Sequence, residues 1–144
     1  MLLLLTSLNS FAEGEESSIS LIRSETTYLN NGYKFITNTY LKNLDRSTVS
    51  SQKETNYVDP DNVILWKVTL TGTFTYNGST SSCTAASSYS TVYQGNWSES
   101  NNNTFASGNA AVASVTMVRK FLFITVETQV ANLTITCDKD GNIQ

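Results

Sequence analysis

The sequence predicts an all-β protein, an antiparallel β-sandwich of immunoglobulin-like size with seven or eight strands. Apolar and polar residues alternate along much of the chain, and a helical spacing of apolar residues is hard to find. Only 15% of the 144 residues are charged, against roughly 25% in an ordinary globular domain. Turn-forming pairs such as Asn31-Gly32 and Asn77-Gly78 separate the alternating stretches. These features favour sheets with one buried face and one uncharged face.

The strongest predicted strand covers residues 66–76. One parity is apolar and should face the core, although Gly72 interrupts it, which predicts a bulge or the close approach of a neighbouring strand. The opposite parity carries threonines, which we call the threonine row. We interpret this row as a solvated strand face rather than an ice-binding plane, because an ice-binding plane needs several stacked repeats. The row comprises Thr69, Thr71, Thr73 and Thr75.

Further strands are predicted on both sides of this one. The patterns at residues 110–119, 121–126 and 129–137 indicate strands, with weaker ones at 19–23, 27–30, 33–41 and 56–58. The polar stretch 44–56 is predicted to be a loop, and residues 81–109 are the least patterned part of the chain. Residues 59–62 and 138–142 have the composition of turns.

The N-terminus predicts export. Residues 1–12 resemble a signal peptide, with an apolar run of four leucines followed by small residues at Ser10 and Ala12. The basic start of such a peptide is missing, which indicates a truncated one. We therefore expect a secreted, extracellular protein whose mature chain begins near Glu13 and forms a single domain over residues 13–144, led by a flexible segment at 13–18.

Two cysteines are present, Cys83 and Cys137. In an oxidising compartment such a pair usually forms a disulfide, and Cys137 lies in phase with the core side of its predicted strand. We expect a Cys83–Cys137 disulfide. The alternative is two free, buried thiols.

The inventory of catalytic groups is small. The chain has no histidine, which excludes Ser–His and Cys–His nucleophilic pairs and the usual zinc ligands. A carboxylate pair is the remaining route to hydrolysis, but no spacing singles out two of the candidates. The acidic stretch 138–142 lacks the glycine and glutamate positions of a calcium loop. We predict a protein that is not an enzyme and has no metal or cofactor. The candidate carboxylates are Asp59, Asp61, Glu99 and Glu127.

Aromatic residues give the better candidates for binding. Tyr89, Tyr93, Trp97 and Phe105 lie among small polar residues in the stretch 81–109, a composition typical of recognition loops. The alternative is that Trp97 fills one end of the sandwich. Nucleic acid is excluded as a partner, because the nine Lys and Arg residues are scattered rather than clustered.

Four segments carry a resemblance to a known group: LTGTFTYNGSTSSCT, GNWS, VTMVRKFL and LTITCDKDGN. Together they resemble a group of small secreted proteins from clostridial and other low-GC Gram-positive bacteria. Members of that group share an LTGTFTY-type strand, one cysteine soon after it, and a TCDK-GN ending. The group has no established activity, so the resemblance implies secretion and a β fold but not a function.

We interpret the chain as a secreted binding or surface-interaction module for a protein or carbohydrate on a cell surface. The second interpretation is a membrane-active toxin or bacteriocin-like protein, with residues 121–126 as the insertion tip. The third is a carboxylate-dependent glycoside hydrolase. Dye release from liposomes distinguishes the second interpretation, and a carboxylate pair about 5–10 Å apart in a cleft would indicate the third.

Overall fold

The computed structural model describes residues 19–144, which form eight β-strands and no helix. The predicted signal peptide (residues 1–12) and flexible segment (13–18) lie outside the described residues. Each strand pairs antiparallel with a neighbour in sequence. The strands are β1 (Ser20–Tyr28), β2 (Lys34–Asn43), β3 (Thr48–Val58), β4 (Ile64–Tyr76), β5 (Ser81–Val92), β6 (Trp97–Ser107), β7 (Ala110–Phe121) and β8 (Ile124–Thr136).

The strands form two sheets, as predicted. One has five strands in the order β1-β2-β3-β4-β5, and the other has three in the order β6-β7-β8. The chain therefore runs as a meander, without the long return connection that defines a Greek key. The similarity to immunoglobulin domains is one of size and layering and does not extend to connectivity.

Strand β4 has the face assignment that its sequence predicts. Trp66, Val68, Leu70 and Phe74 are fully buried between the sheets. Gly72 marks a close approach, because a Cβ atom placed there would lie 2.8 Å from the Cβ of Ala111 on β7 of the other sheet. A register shift follows at Thr73/Phe74, where β4 pairs with β5. The two sheets are therefore packed closely over Gly72.

Five aromatic rings fill the core at one end of the sandwich. Tyr57 stacks on Trp66 with ring centroids 5.2 Å apart, and Trp97 meets Tyr57 edge-on at 5.6 Å. Tyr33 and Phe35 complete the group against Tyr57. Trp97 is only 7% exposed, so the alternative that it fills one end of the sandwich is confirmed. The group joins the sheets, since Trp97 is on β6 and the other four rings belong to the five-stranded side.

Four stretches differ from their prediction. The run 121–126, predicted as a strand, contains the turn between β7 and β8 at residues 122 and 123. The two weak strands predicted at 19–23 and 27–30 form one continuous strand, β1. Strand β3 covers most of the predicted loop 44–56, and the unpatterned stretch 81–109 is mainly strands β5 and β6. The reason is that backbone pairing supports these strands even where side chains are polar: β3 pairs on both sides, with β2 and β4, and β5 pairs with β4. Polar residues such as Ser51 and Thr55 are buried within β3.

The threonine row faces outward, but one member is not solvated. Thr69 is fully buried, and its hydroxyl has no hydrogen-bond partner among the described residues. The prediction of a solvated face is therefore wrong at this position. The residues opposite Thr69 are Glu54 on β3 and Tyr89 on β5, whose long side chains flank a short one.

The expected disulfide is absent from the structure. Cys83 and Cys137 are both buried and are not bonded to each other. Each thiol has a backbone acceptor instead: the carbonyl oxygen of Ala85 lies 3.3 Å from Cys83 Sγ, and that of Asp138 lies 3.4 Å from Cys137 Sγ. Burial raises the pKa of both thiols above the ordinary value. The structure thus contains two free, buried thiols, each with a hydrogen-bond acceptor, which is the alternative that the sequence left open.

Candidate functional site

The most exposed apolar residues form the tip of the β7–β8 hairpin. Phe121 and Ile124 are the last paired residues, and only Leu122 and Phe123 connect them. Leu122 is 74% exposed and Phe123 is 98% exposed. We call residues 121–124 the apolar tip. Four adjacent large apolar side chains in water are unusual on a soluble domain and indicate a contact surface.

The backbone of the apolar tip is strained. Leu122 has a φ of 49° and Phe123 a φ of 69°, so both central residues of a two-residue turn lie at positive φ, as a type I′ turn requires. Asn-Gly is the favoured pair for this turn, and a bulky residue in the left-handed region costs about 1–2 kcal/mol. The chain therefore keeps leucine and phenylalanine where neither the solvent nor the backbone favours them. Strain of this kind is typical of functional sites.

Other apolar residues lie at the same end of the sandwich. Because the strands alternate in direction, the β1–β2, β3–β4 and β5–β6 connections all share the end of the apolar tip. Their exposed apolar residues, together with the tip, form what we call the apolar end. The members outside the tip are Tyr28, Val63, Ile64, Val92 and Tyr93.

Hydrogen bonds hold these connections together. The N–H of Lys120 donates to the carbonyl of Asn96 at 2.9 Å, and the N–H of Tyr93 donates to the carbonyl of Leu65 at 2.9 Å. Between the first two connections, Lys34 Nζ donates to Asn62 Oδ1 at 2.6 Å. The apolar end is therefore one connected surface.

A partly buried polar network fixes the base of the hairpin. Glu127 on β8 accepts a hydrogen bond from the Tyr57 hydroxyl at 2.7 Å and another from Arg119 Nε at 3.0 Å. Tyr57 belongs to β3 in the other sheet. Burial, and then its hydrogen bond to Glu127, raise the pKa of Tyr57 well above the ordinary tyrosine value. These hydrogen bonds connect the base of the β7–β8 hairpin to both sheets.

Charges at the apolar end balance. Arg119 is paired with Glu127. The positive charges of Lys34 and Lys120 are equalled in number by the negative charges of Asp59 and Asp61 in the β3–β4 turn. Of these, Asp59 accepts backbone hydrogen bonds from Asp61 and Val63, each at 2.9 Å. The end as a whole is apolar and close to neutral.

The four aromatic residues proposed from the sequence do not form one site. Trp97 is buried, Tyr89 is exposed on the outer face of β5, and Phe105 is exposed near the far end of β6. Tyr93 alone belongs to the apolar end. The sequence contains a signal for the tip, since the run KFLFIT joins two strands without a glycine or asparagine, but its pattern predicts a strand as well as the insertion tip of a membrane-active protein.

Other chemistry is limited in the described residues. Between residues 19 and 144, no three His, Cys, Asp or Glu residues lie close enough together to hold a metal ion. Within the same range, no helix has the length and apolarity needed to cross a membrane.

Comparison with known proteins finds no matching family model, no matching curated protein and no matching solved structure. The fold and the site therefore define the molecule by themselves: a two-sheet meander sandwich with one apolar, strained hairpin tip.

Proposed function

We propose that the protein is a secreted, non-enzymatic surface-interaction module that attaches to lipid membranes by inserting its apolar tip. Secretion is proposed from the signal-like N-terminal sequence. The observation that carries the attachment is the pair Leu122 and Phe123, which are 74% and 98% exposed at the strained turn of the β7–β8 hairpin.

A lipid interface suits the shape of this site better than a protein surface does. The tip is convex and ends in a turn of two residues. A protein partner would need a pocket that matches this turn, whereas a fluid lipid layer adapts to the side chains. Tyr28 and Tyr93 lie at the same end and are half or more exposed. Tyrosine favours the boundary between headgroups and hydrocarbon. The apolar tip would then reach the acyl region while the tyrosines remain at headgroup level.

The charge balance indicates which lipids are involved. Anionic lipids attract clusters of unpaired cations, at about 1 kcal/mol for each Lys or Arg near the surface. Here Arg119 is paired with Glu127, and two aspartates offset the two lysines. Attachment should therefore work on zwitterionic lipid and depend little on salt.

The expected strength is moderate. Each large apolar side chain contributes about 1.5–3 kcal/mol when it is fully removed from water, and part of that is lost to immobilisation. The tip is therefore comparable to a single acyl chain, which gives reversible attachment.

Co-sedimentation with phosphatidylcholine vesicles tests this proposal. The wild-type protein should sediment with the vesicles, and the double variant Leu122→Ser, Phe123→Ser should lose at least about tenfold in partition coefficient. The matched control is Tyr89→Ser, Phe105→Ser, which removes two exposed aromatic residues elsewhere and should bind like the wild type. Wild-type protein that stays in the supernatant would overturn the proposal, as would equal losses in the two double variants.

Release of an encapsulated dye separates attachment from permeabilisation. Attachment predicts binding without release. Release that the Leu122→Ser, Phe123→Ser variant abolishes would indicate the membrane-active toxin instead.

A further inference from the structure

A groove runs along the open edge of the three-stranded sheet. Strand β8 is one of the two edge strands of that sheet, and it lies over β3, as contacts of Tyr57 with Glu127 and of Lys53 with Thr134 show. Strands β1 and β2 therefore extend beyond the cover of the three-stranded sheet. The space above them, which we call the edge groove, has a volume of about 360 Å³ and is lined by Glu25, Phe35, Thr37, Lys53, Thr55 and β8.

Ile143 and Gln144 already pair with the open edge of β8 and the residue that follows it. The N–H of Thr136 donates to the carbonyl of Gln144 at 3.1 Å, and the N–H of Gln144 donates to the carbonyl of Thr136 at 2.9 Å. Ile143 forms an antiparallel bridge to Cys137. The final residues thus pair antiparallel with β8 and point along its open edge.

The same edge continues past this pair. In an antiparallel ladder, alternate residues direct both backbone groups to the same side. Because Thr136 uses its groups for Gln144, residues Thr134, Asn132 and Val130 direct theirs to the open edge as well. The carbonyl of Thr134 accepts from Lys53 Nζ at 2.6 Å, which agrees with this direction. In the described part of the chain, no other strand pairs with this stretch.

We propose that the edge groove binds an extended segment of a partner polypeptide, which adds to β8 as an antiparallel strand along the line of Ile143 and Gln144. Six residues of strand, about 20 Å long, would match the edge from residue 135 to residue 130. Its backbone supplies most of the binding, as in other cases of strand addition.

The lining defines the chemistry of the partner. Inward side chains of the added strand would meet Phe35 and Thr37 of β2, which favours small or β-branched residues. Lys53 is partly desolvated, and this desolvation lowers its pKa. It gains from a hydrogen-bond acceptor, which a backbone carbonyl or a side-chain carboxylate or amide can supply.

A second copy of the chain does not fit by pairing edge to edge. Two β8 strands brought together would place the protruding β1 and β2 of each copy beneath the three-stranded sheet of the other. That space is already filled by β3 and β4 of the other copy. A single separate strand has no such conflict.

A strand fused to the C-terminus is a direct probe of the groove. The extension Val-Thr-Val-Thr-Val-Thr, placed immediately after Gln144, puts its second, fourth and sixth residues opposite Thr134, Asn132 and Val130. The control extension has proline at those three places and lacks the N–H groups that would reach β8. Amide hydrogen exchange at the three β8 residues should slow at least tenfold with the first extension relative to the control. The melting temperature should rise as well.

Equal exchange rates in the two fusions would overturn the proposal. So would slow exchange of these three amides in the unextended protein together with a dimeric mass in analytical ultracentrifugation, because the occupant would then be a second copy. The free hexapeptide at millimolar concentration should slow exchange at the same three residues in the unextended protein. It should have no effect on the protein that carries the valine–threonine fusion.

Discussion

Replacing the turn residues of the apolar tip with the pair that a type I′ turn prefers should stabilise the fold and abolish attachment. The change is Leu122→Asn together with Phe123→Gly. Both positions have positive φ, which asparagine tolerates and glycine adopts without strain. A gain in stability with a loss of binding is the opposite of what damage to the fold would produce.

The magnitudes follow from the geometry. Removing the strain of an apolar residue in the left-handed region stabilises the fold by about 1–2 kcal/mol at each of the two positions. Glycine has more conformational freedom in the unfolded chain, and this offsets roughly 0.5–1 kcal/mol of the gain. The net gain should be about 1–3.5 kcal/mol, or a rise of roughly 3–14 °C in melting temperature. On the membrane, loss of one leucine and one phenylalanine removes up to about 3–6 kcal/mol of apolar burial. The vesicle partition coefficient should therefore fall by at least about tenfold, as for the double serine variant.

Urea unfolding, followed by tryptophan fluorescence, and vesicle co-sedimentation measure the two effects. The control is Leu122→Ala with Phe123→Ala, which removes the large side chains and keeps non-glycine residues at positive φ. It should lose binding without the gain in stability. If the Asn-Gly variant were less stable than the wild type, or bound vesicles as well, the account of the tip as a strained insertion device would be wrong.

Three further predictions test the core. Trp97→Ala should lower the free energy of unfolding, measured in urea, by about 3–5 kcal/mol, because a large buried ring is removed. The control Phe105→Ala, on the same strand, should change it by under about 1 kcal/mol. Near-equal losses in the two variants would place Trp97 on the surface. Since the pKa of Tyr57 is raised above its ordinary 10.0, its contribution is complete below about pH 10 and declines as the pH rises further. Wild-type stability should therefore fall more steeply above pH 10 than that of Tyr57→Phe, and parallel pH curves would contradict the raised pKa. Cys83 and Cys137 should react slowly with iodoacetamide in the native protein and quickly in urea without reductant, and an unreduced mass two units below that of the dithiol would contradict the two free thiols.

Much of the fold could be predicted from alternation and turn chemistry. In β4 every second residue except Gly72 is apolar, so its buried face could be inferred directly. Gly72 predicts a bulge or a close approach, and the structure has both at this point. The turn at Asn77-Gly78 lies where it is predicted, but of this pair only Gly78 has a positive φ, of 84°, while Asn77 Oδ1 accepts from the N–H groups of Ser79 and Thr80. Local sequence alone determines features of this kind.

Strand β3 shows why other parts could not be predicted. Its sequence is TVSSQKETNYV, with polar residues on both faces. Ser51 and Thr55 point inward and are buried. Burial of their hydroxyls is tolerated because each has a hydrogen-bond partner: Ser51 Oγ donates to the carbonyl of Tyr40 at 2.7 Å, and Thr55 Oγ1 lies 2.9 Å from Thr37 Oγ1. These partners belong to β2 and are invisible until the strands are paired. A pattern of hydrophobicity cannot reveal them.

The apolar tip was recognisable only as an apolar run. Residues 121–126 read equally well as an inner strand or as an insertion tip, since both are apolar and short. The difference lies in Leu122 and Phe123, which form a turn without a turn-forming residue. Only the positive φ values and the exposure distinguish the two cases.

Quenching by brominated lipid tests the insertion of the apolar tip most directly. The protein has two tryptophans, both buried in the core, so phosphatidylcholine brominated on its acyl chains should barely quench the wild type. Phe123→Trp places a third indole at the exposed tip. On brominated vesicles this indole should be strongly quenched and its emission should shift to shorter wavelength. An indole at position 123 that stays unquenched while the protein co-sediments with the vesicles would contradict insertion through the tip.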